Sequence, residues 1–205
     1  MHSLSTSRLT GRRLEAARWR LSPAKGQAMN RSTLTLGGLL TVLLVTTADA
    51  SPAAGARRPE VRLVDAWERA FELKTLQGTP VLFVYEDKES AMQNKLLKAE
   101  LAELAKGDRY KRSIAIVAIA DVTGYDFWPV RGFVKRAIRD ESVKFGTVIY
   151  CDWQGEARGA LGASRGMSNV ALYGKDGALV FAHAGTMPKA KREELVALLR
   201  VQVGG

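Results

Sequence analysis

The fold is decided by the stretch Thr79–Met92, which reads TPVLFVYEDKESAM. Its five consecutive apolar or aromatic residues, Val81–Tyr85, are typical of a β-strand covered on both faces. Asp87 is suited to cap a helix, because its carboxylate accepts the free amide protons of a first helical turn. The stretch therefore predicts a buried strand that runs through a polar loop into a helix.

Further strands and helices alternate after this stretch. Leucines within residues 96–104 predict a helix over Ser90–Lys106 with one apolar face, followed by a charged link at Asp108–Arg112. Upstream, Asp65–Leu76 fits either a helix or a short pair of strands. Gly174–Gly177 is typical of a hairpin turn. The other predicted elements are strands over Ser113–Asp121, Thr147–Cys151, Asn169–Tyr173 and Ala178–Ala182, and helices from Pro129 to about Val143, over Glu156–Leu161 and over Pro188–Val201.

Alternation of strands and helices predicts parallel strands, and the late hairpin adds antiparallel ones. This order resembles the thioredoxin-like fold, a three-layer α/β/α arrangement around a mixed central sheet. Redox-active members of that superfamily carry Cys-x-x-Cys in the loop after the first long strand, where this chain has Lys88–Ala91. Their cis-proline corresponds to a position near Ser168. Neither the cysteines nor the proline is present here.

A narrower resemblance covers roughly the last hundred residues. The segments that carry it are Asp108–Tyr110, Phe133–Val134, Asp152 with Gly155, Ala157–Ala160, Ser168–Val170, Lys175–Gly177 and Gly185. In these segments the chain is similar to the YtfJ-like proteins, which are small exported proteins, and the resemblance implies a location in the cell envelope. The turn Asp152–Gly155 also resembles turns of redoxins and peroxiredoxins.

The N-terminal part of the chain has the layout of a secretory signal peptide. A basic start at Met29–Arg31 precedes an apolar run, Leu34–Ala48, and an A-x-A cleavage site that ends at Ala50. A single-pass anchor is the alternative, but the run is shorter than the roughly 20 residues that span a bilayer. We expect a true start at Met29, a periplasmic or secreted protein, and no membrane span after cleavage. The expected organisation is 1–50 upstream extension and signal peptide, 51–59 linker, and 60–205 thioredoxin-like domain.

The charge and the cysteine content restrict the possible functions. Residues 1–50 hold seven basic and two acidic side chains, which leaves +5 of the formal net charge of +10 for residues 51–205. A charge this mild predicts no nucleic-acid partner. Cys151 is the single cysteine, so an internal disulfide is impossible. Cys151 is either an inert thiol packed like a small hydrophobe or, if exposed, the reactive group of a single-cysteine peroxidase.

Two segments are candidate binding sites. The polar residues Glu86, Asp87, Lys88, Glu89 and Ser90, together with Ser168, lie where the resembling fold keeps its active centre. They form either a site for an anion or a peptide or a solvated loop in which Asp87 only caps a helix.

The second candidate is aromatic. Tyr125, Phe127 and Trp128 either line a groove for a peptide or ligand or pack beneath the helix that they precede. His183 is the only histidine of residues 51–205, and no phosphate-binding glycine loop occurs. We therefore predict neither a metal nor a cofactor.

These observations predict an exported thioredoxin-like domain without thiol redox activity, acting as a binding or accessory module of the cell envelope. Its expected partner is an envelope protein or a peptide. The alternative is a redoxin-like or peroxiredoxin-like antioxidant oxidoreductase that uses Cys151. A structural envelope protein is a third possibility.

Overall fold

The computed structural model describes residues 55–204, apart from the side chains of Asp108, Arg109 and Lys111. The predicted upstream extension, signal peptide and first linker residues lie outside this range. The strands are β1 (Arg62–Asp65), β2 (Ala70–Glu72), β3 (Val81–Glu86), β4 (Ala115–Asp121), β5 (Ile149–Asp152), β6 (Asn169–Tyr173) and β7 (Leu179–Ala184). The helices are α1 (Lys95–Leu104), α2 (Asp108–Ser113), α3 (Val130–Phe145), α4 (Glu156–Leu161) and α5 (Lys189–Gly204), with a 3-10 turn at Leu73–Leu76.

The strands form one mixed sheet in the order β2-β1-β5-β4-β3-β6-β7. Strand β4 lies parallel to both β3 and β5, whereas β6 is antiparallel to β3 and to β7. The predicted thioredoxin-like three-layer fold with a mixed central sheet is thereby confirmed. Because β3, β4 and β5 run in the same direction, their carboxyl ends meet at one edge of the sheet.

Helices cover both faces of the sheet. Val81, Phe83 and Tyr85 of β3 point to the face covered by α4, and Leu82 points to the opposite face. That opposite face packs against α1 and α5, with Leu97 and Leu195 fully buried. The prediction that β3 is buried on both faces is confirmed.

The first helix differs from its prediction at both ends. It begins at Lys95 rather than Ser90, because residues 87–94 form a turn whose side chains bond to other loops. It ends at Leu104. Leu96 is 56% exposed, although we predicted it on the buried face, because successive helix positions lie about 100° apart and the buried stripe runs through Leu97 and Leu101.

Three other segments also differ from or refine their predictions. The charged link predicted at Asp108–Arg112 is part of the helix α2. Strand β4 begins at Ala115, two residues later than the predicted strand Ser113–Asp121, and Ile116 is 40% exposed although β4 is interior to the sheet. The undecided segment Asp65–Leu76 contains the short strand β2 and a 3-10 turn, not a regular α-helix.

Residues 55–59, the described part of the predicted linker, contact the sheet. Arg57 forms an isolated antiparallel bridge with Ala178, and Leu179 N donates to Ala56 O at 2.8 Å. Within the described residues, no helix is both long enough and apolar enough to cross a membrane.

Candidate functional site

The predicted ligand loop starts where β3 ends. Asp87 and Ser90 bond to each other in both directions, because Asp87 Oδ1 accepts from Ser90 N at 2.8 Å and Ser90 Oγ accepts from Asp87 N at 2.9 Å. This reciprocal pattern is that of a capping box around one helical turn. Asp87 therefore caps this turn and not α1, whose N-cap residue is Asn94.

A second loop, which contains Ser168, closes over the first. Asp87 Oδ2 accepts from Gly166 N at 2.5 Å. The carboxamide of Gln93 donates to Gly166 O at 2.7 Å and accepts from Ser168 N at 2.9 Å. Ser168 Oγ donates to Glu86 Oε1 at 2.7 Å. The position near which the resembling fold has a cis-proline is thus tied by hydrogen bonds to the loop in which that fold carries its thiols.

The charged groups of this site are compensated from within the protein. Glu86, whose side chain is 12% exposed, forms an ion pair with Lys98 at 2.5 Å. Burial alone would raise the pKa of Asp87, but hydrogen bonds from Gly166 and Ser90 lower it below its usual value. Ser90 and Ser168 are fully buried. No buried side-chain N or O atom within the described range lacks a partner.

The six residues of the predicted ligand site therefore fall into two groups. Glu86, Asp87, Ser90 and Ser168 come together, as the prediction requires, but they bond to one another and to the adjacent turns. Lys88 and Glu89 are exposed at the tip of the turn. The cavity beside this network, lined by Tyr85, Asn169 and His183 among others, has a volume of about 20 Å³, which is room for about one water molecule.

Cys151 lies away from this loop and from solvent. It is 4% exposed in an apolar cluster with Ala66 and Val122. Burial, together with the nearby negative charge of Asp65, raises the pKa of Cys151 to about 11. A thiol in this environment is almost entirely protonated at neutral pH and is a poor nucleophile.

The aromatic segment lies on the loop between β4 and α3. Trp128 is 90% exposed, Phe127 55% and Tyr125 37%, so all three side chains present aromatic surface to solvent. The loop is linked to the others through Thr123, whose hydroxyl accepts a hydrogen bond from Arg165. At the carboxyl edge of β3 and β4, the loop 164–168 therefore contacts both of the other loops, 87–94 and 122–129.

Sequence reasoning missed a buried ionic network at the same edge. Asp121 and Asp152 end the neighbouring parallel strands β4 and β5 and are paired in register. Arg158 donates to Asp121 at 2.9 Å, and Tyr85 donates to Asp152 at 3.0 Å. The signal was visible, since both predicted strands run directly into an aspartate.

The electrostatics of this network favour the charged form of Asp121. Burial alone would raise the pKa of Asp121, but hydrogen bonds from Thr123 and Arg158 hold it below its usual value. Burial and the charges of Asp152 and Asp121 raise the pKa of Tyr85 well above its usual range. Within residues 55–204, no group of three or more His, Cys, Asp or Glu side chains is placed to hold a metal ion.

No protein-family model matches this chain, and no curated protein sequence matches it. Solved structures of redox proteins do resemble it. The exposed lipoprotein thioredoxin of Streptococcus pneumoniae superposes with a TM-score of 0.51 at 16% identity, covering 69% of this chain and 98% of that one. A putative thiol:disulfide interchange protein DsbE from Chlorobium tepidum gives 0.52 at 14% identity, with 74% and 98% coverage.

A putative thioredoxin from Neisseria meningitidis gives a TM-score of 0.52 at 16% identity, with 73% of this chain and 92% of that one covered. Identities this low establish a shared thioredoxin-like fold and nothing about activity.

Proposed function

We propose that this chain is an exported, YtfJ-like binding module of the cell envelope that has the thioredoxin-like fold without its thiol chemistry. The observation that carries this proposal is the closed polar network at 86–94 and 164–168. A thiol–disulfide exchanger needs an exposed, stabilised thiolate and a resolving partner. In this network the chain instead has serine, carboxylate and carboxamide groups that form hydrogen bonds with one another.

The peroxidase alternative would require Cys151 to act as a thiolate. Its burial and its raised pKa both oppose that role. A peroxide substrate would also have to reach the apolar cluster beneath α3, because Val134 and Ile138 of this helix pack against that cluster. We therefore favour binding over catalysis.

The aromatic segment at this edge is exposed and therefore free to contact a partner. Trp128 and Phe127 present large apolar areas to solvent beside a closed polar loop. Aromatic side chains of this kind dominate the energetics of protein recognition. The proposed partner is an envelope protein or an extended peptide, and Tyr125, Phe127 and Trp128 would supply the contact.

Export rests on the signal-peptide layout that ends at Ala50 and, more weakly, on the exposed lipoprotein among the structural neighbours. Expression from Met29 followed by fractionation and N-terminal sequencing tests it. We expect a periplasmic or secreted product that begins at Ser51. A product that stays in the cytoplasm with its N-terminus intact would contradict export.

Binding is tested by photo-crosslinking in an envelope fraction. We expect a crosslinked partner that is lost in the Phe127→Ala/Trp128→Ala double variant. The matched control is Phe145→Ala, because Phe145 is 58% exposed at the far end of α3. A partner captured equally by all three proteins would contradict an aromatic contact surface. Reduction of insulin, or consumption of peroxide that is abolished by Cys151→Ala, would contradict the non-redox function.

A further inference from the structure

Helix α3 packs against the sheet along one side and is exposed along the other. Val134 and Ile138 lie on the inner side, against the apolar cluster beneath the helix. The outer side carries Phe133, which is 65% exposed, and Val143, which is 74% exposed. The charges that lie between these two apolar side chains indicate which partner covers them.

Four exposed residues form a stripe along the outer side of α3, namely Phe133, Arg136, Asp140 and Val143. Their spacings along the chain are three, four and three residues, which place them on one face of the helix. The same spacing defines the seam along which two helices pack in a coiled coil. This set, the α3 stripe, has an apolar residue at each end and two opposite charges between them.

The two charges of the α3 stripe have no partner among the residues that the structure describes. Arg136 and Asp140 are both exposed, and neither forms an ion pair or a hydrogen bond within that part of the chain. They lie four residues apart on one helix, but a cation that precedes an anion at this spacing is the less favourable order. By contrast, Lys144 pairs with Glu141 at 3.1 Å beside the stripe. The charges of Arg136 and Asp140 are therefore available to a second molecule.

We propose that the α3 stripe is the contact surface of a homodimer in which two copies of α3 pack antiparallel. A twofold axis level with Ile138 brings together stripe residues that lie equally far from Ile138 in opposite directions. Phe133 then faces Val143 of the partner subunit, and Arg136 faces Asp140 of the partner subunit. The symmetry repeats each contact, so both apolar ends are covered and all four charges are paired.

Charge selects this partner and this direction. In a parallel pair, Arg136 would face the partner's Arg136 and Asp140 would face the partner's Asp140, and like charges in contact oppose association. An anionic membrane surface would match Arg136 but repel Asp140. Only the antiparallel twofold arrangement makes the α3 stripe complementary to itself.

The contact is limited in size and separate from the candidate site. It runs along one helix of 16 residues, so we expect self-association in the micromolar range rather than a permanent dimer. The aromatic segment Tyr125–Trp128 precedes α3 and is not part of the stripe. The dimer is therefore independent of the proposed function, and it is measured on the purified protein without an envelope partner.

Sedimentation equilibrium of protein purified after expression of the full chain tests the proposal, over about 1–500 µM to bracket micromolar dissociation constants. We expect monomer at the low end of this range and dimer at the high end. Arg136→Asp and Asp140→Arg should each weaken self-association roughly ten-fold, because each variant places like charges opposite each other. An equimolar mixture of the two variants should restore association, because the acidic stripe of one then faces the basic stripe of the other.

The matched control is Arg200→Asp, an equal change of charge at an exposed position of α5, which should leave self-association unchanged. All of these substitutions are at exposed positions, so each variant should fold. A protein that stays monomeric over the whole range would overturn the proposal, whether or not it binds phosphatidylglycerol vesicles. Single variants that associate as well as the wild-type protein, or a mixture that stays monomeric, would also overturn it.

Disulfide cross-linking tests the antiparallel register. In a Cys151→Ala background, diamide oxidation of a mixture of Phe133→Cys and Val143→Cys should give a cross-linked dimer, because these positions face each other. Phe133→Cys alone should not cross-link, since its two copies would lie about 15 Å apart along the helices, beyond the reach of a disulfide. Phe145→Cys, about 120° around α3 from Phe133, is the control and should not cross-link with Phe133→Cys. Cross-linking of Phe133→Cys alone, or equal yields with Val143→Cys and Phe145→Cys, would overturn this dimer.

Discussion

Ser168 Oγ donates a 2.7 Å hydrogen bond to Glu86 Oε1, which joins the loop before β6 to the end of β3. The same carboxylate pairs with Lys98 through its other oxygen. The two loops that would present thiols and proline in a redox-active relative are therefore joined by hydrogen bonds between polar side chains. The contribution of these bonds to the free energy of unfolding can be measured.

The Ser168→Ala variant should be less stable than the wild-type protein by about 1–2 kcal/mol. The substitution removes a buried hydrogen bond to a charged acceptor, for which losses of about 1.5–3 kcal/mol are typical, and Lys98 retains part of the compensation for Glu86. Urea unfolding monitored by circular dichroism measures the difference. Ser164→Ala is the control, because the Ser164 hydroxyl has no hydrogen bond within the described residues, and an equal loss in both variants would contradict the assigned bond.

Ser168→Pro should be more destabilising than Ser168→Ala. Proline would remove the backbone N–H that donates to Gln93 Oε1 at 2.9 Å, as well as the bond to Glu86. The free energy of unfolding should fall by roughly 1 kcal/mol more than in Ser168→Ala. A proline variant as stable as the wild-type protein would show that this loop tolerates the residue found in the redox-active relatives.

Asn94 also joins two elements by hydrogen bonds, the start of α1 and the loop after β7. Its Nδ2 donates to Gly185 O at 2.9 Å, and its Oδ1 accepts from Met187 N at 2.7 Å. Asn94→Ala would remove the partner of the buried Met187 N–H and of the partly buried Gly185 carbonyl, and we expect a loss of about 2–4 kcal/mol in urea unfolding. Gln154→Ala, which removes an exposed carboxamide bonded to Asp126, should cost less than about 0.5 kcal/mol. Similar losses in the two variants would contradict this assignment.

The sequence predicted the scaffold well where the signal is local. The five-residue apolar run Val81–Tyr85 predicts a strand buried on both faces, and Gly174–Gly177 predicts the hairpin, because each depends on residues adjacent in the chain. The order of the predicted elements, through its resemblance to the thioredoxin-like fold, then predicted the three-layer arrangement. Residues such as Ile116, whose exposure depends on how neighbouring helices are spaced, could not be assigned from periodicity alone.

The candidate site was located but not understood from the sequence. Gln93 and Asn94 make their hydrogen bonds to residues more than 70 positions away, so no local pattern identifies them. The pairing of Asp121 with Asp152 depends on the register of two strands that are separated by the whole of α3. The sequence shows an aspartate at the end of each of these two predicted strands. Only the register of the strands shows that the two aspartates are neighbours.

The Arg158→Met variant should lose about 2–4 kcal/mol at pH 7. Breaking a buried ion pair costs about 3–5 kcal/mol, and the 26% exposure of the Arg158 side chain reduces that figure. Burial would raise the pKa of Asp121, but Thr123 and Arg158 lower it, so the paired carboxylate stabilises the fold above about pH 4. That contribution is lost as the pH falls through the folded-state pKa.

The difference between wild type and Arg158→Met should therefore be largest at pH 7 and should shrink below about pH 4. Urea unfolding at a series of pH values measures it. Arg165→Met is the control, because Arg165 is 63% exposed and lies 3.9 Å from Asp121, and it should cost less than about 1 kcal/mol. A difference that is independent of pH would contradict the charged pair.

Cys151 should react slowly with a thiol reagent in the native protein and rapidly in urea, because it is 4% exposed and its pKa is raised to about 11 by burial and by Asp65.

The same raised pKa predicts how stability depends on pH. Because the thiol pKa is higher in the folded protein than in the unfolded chain, the unfolded chain loses the thiol proton at a lower pH. The contribution to stability is therefore complete below about pH 8.5 and falls by about 1.4 kcal/mol per pH unit until the folded-state pKa is reached. Cys151→Ala should cost about 1 kcal/mol at pH 7 and show a shallower decline between pH 9 and 11. The raised pKa values of Tyr85, Tyr150 and Tyr173 are common to both proteins, so the difference between the two curves isolates the thiol. Rapid labelling of the folded protein at pH 7, or parallel curves, would show an accessible thiol and would favour the redox alternative.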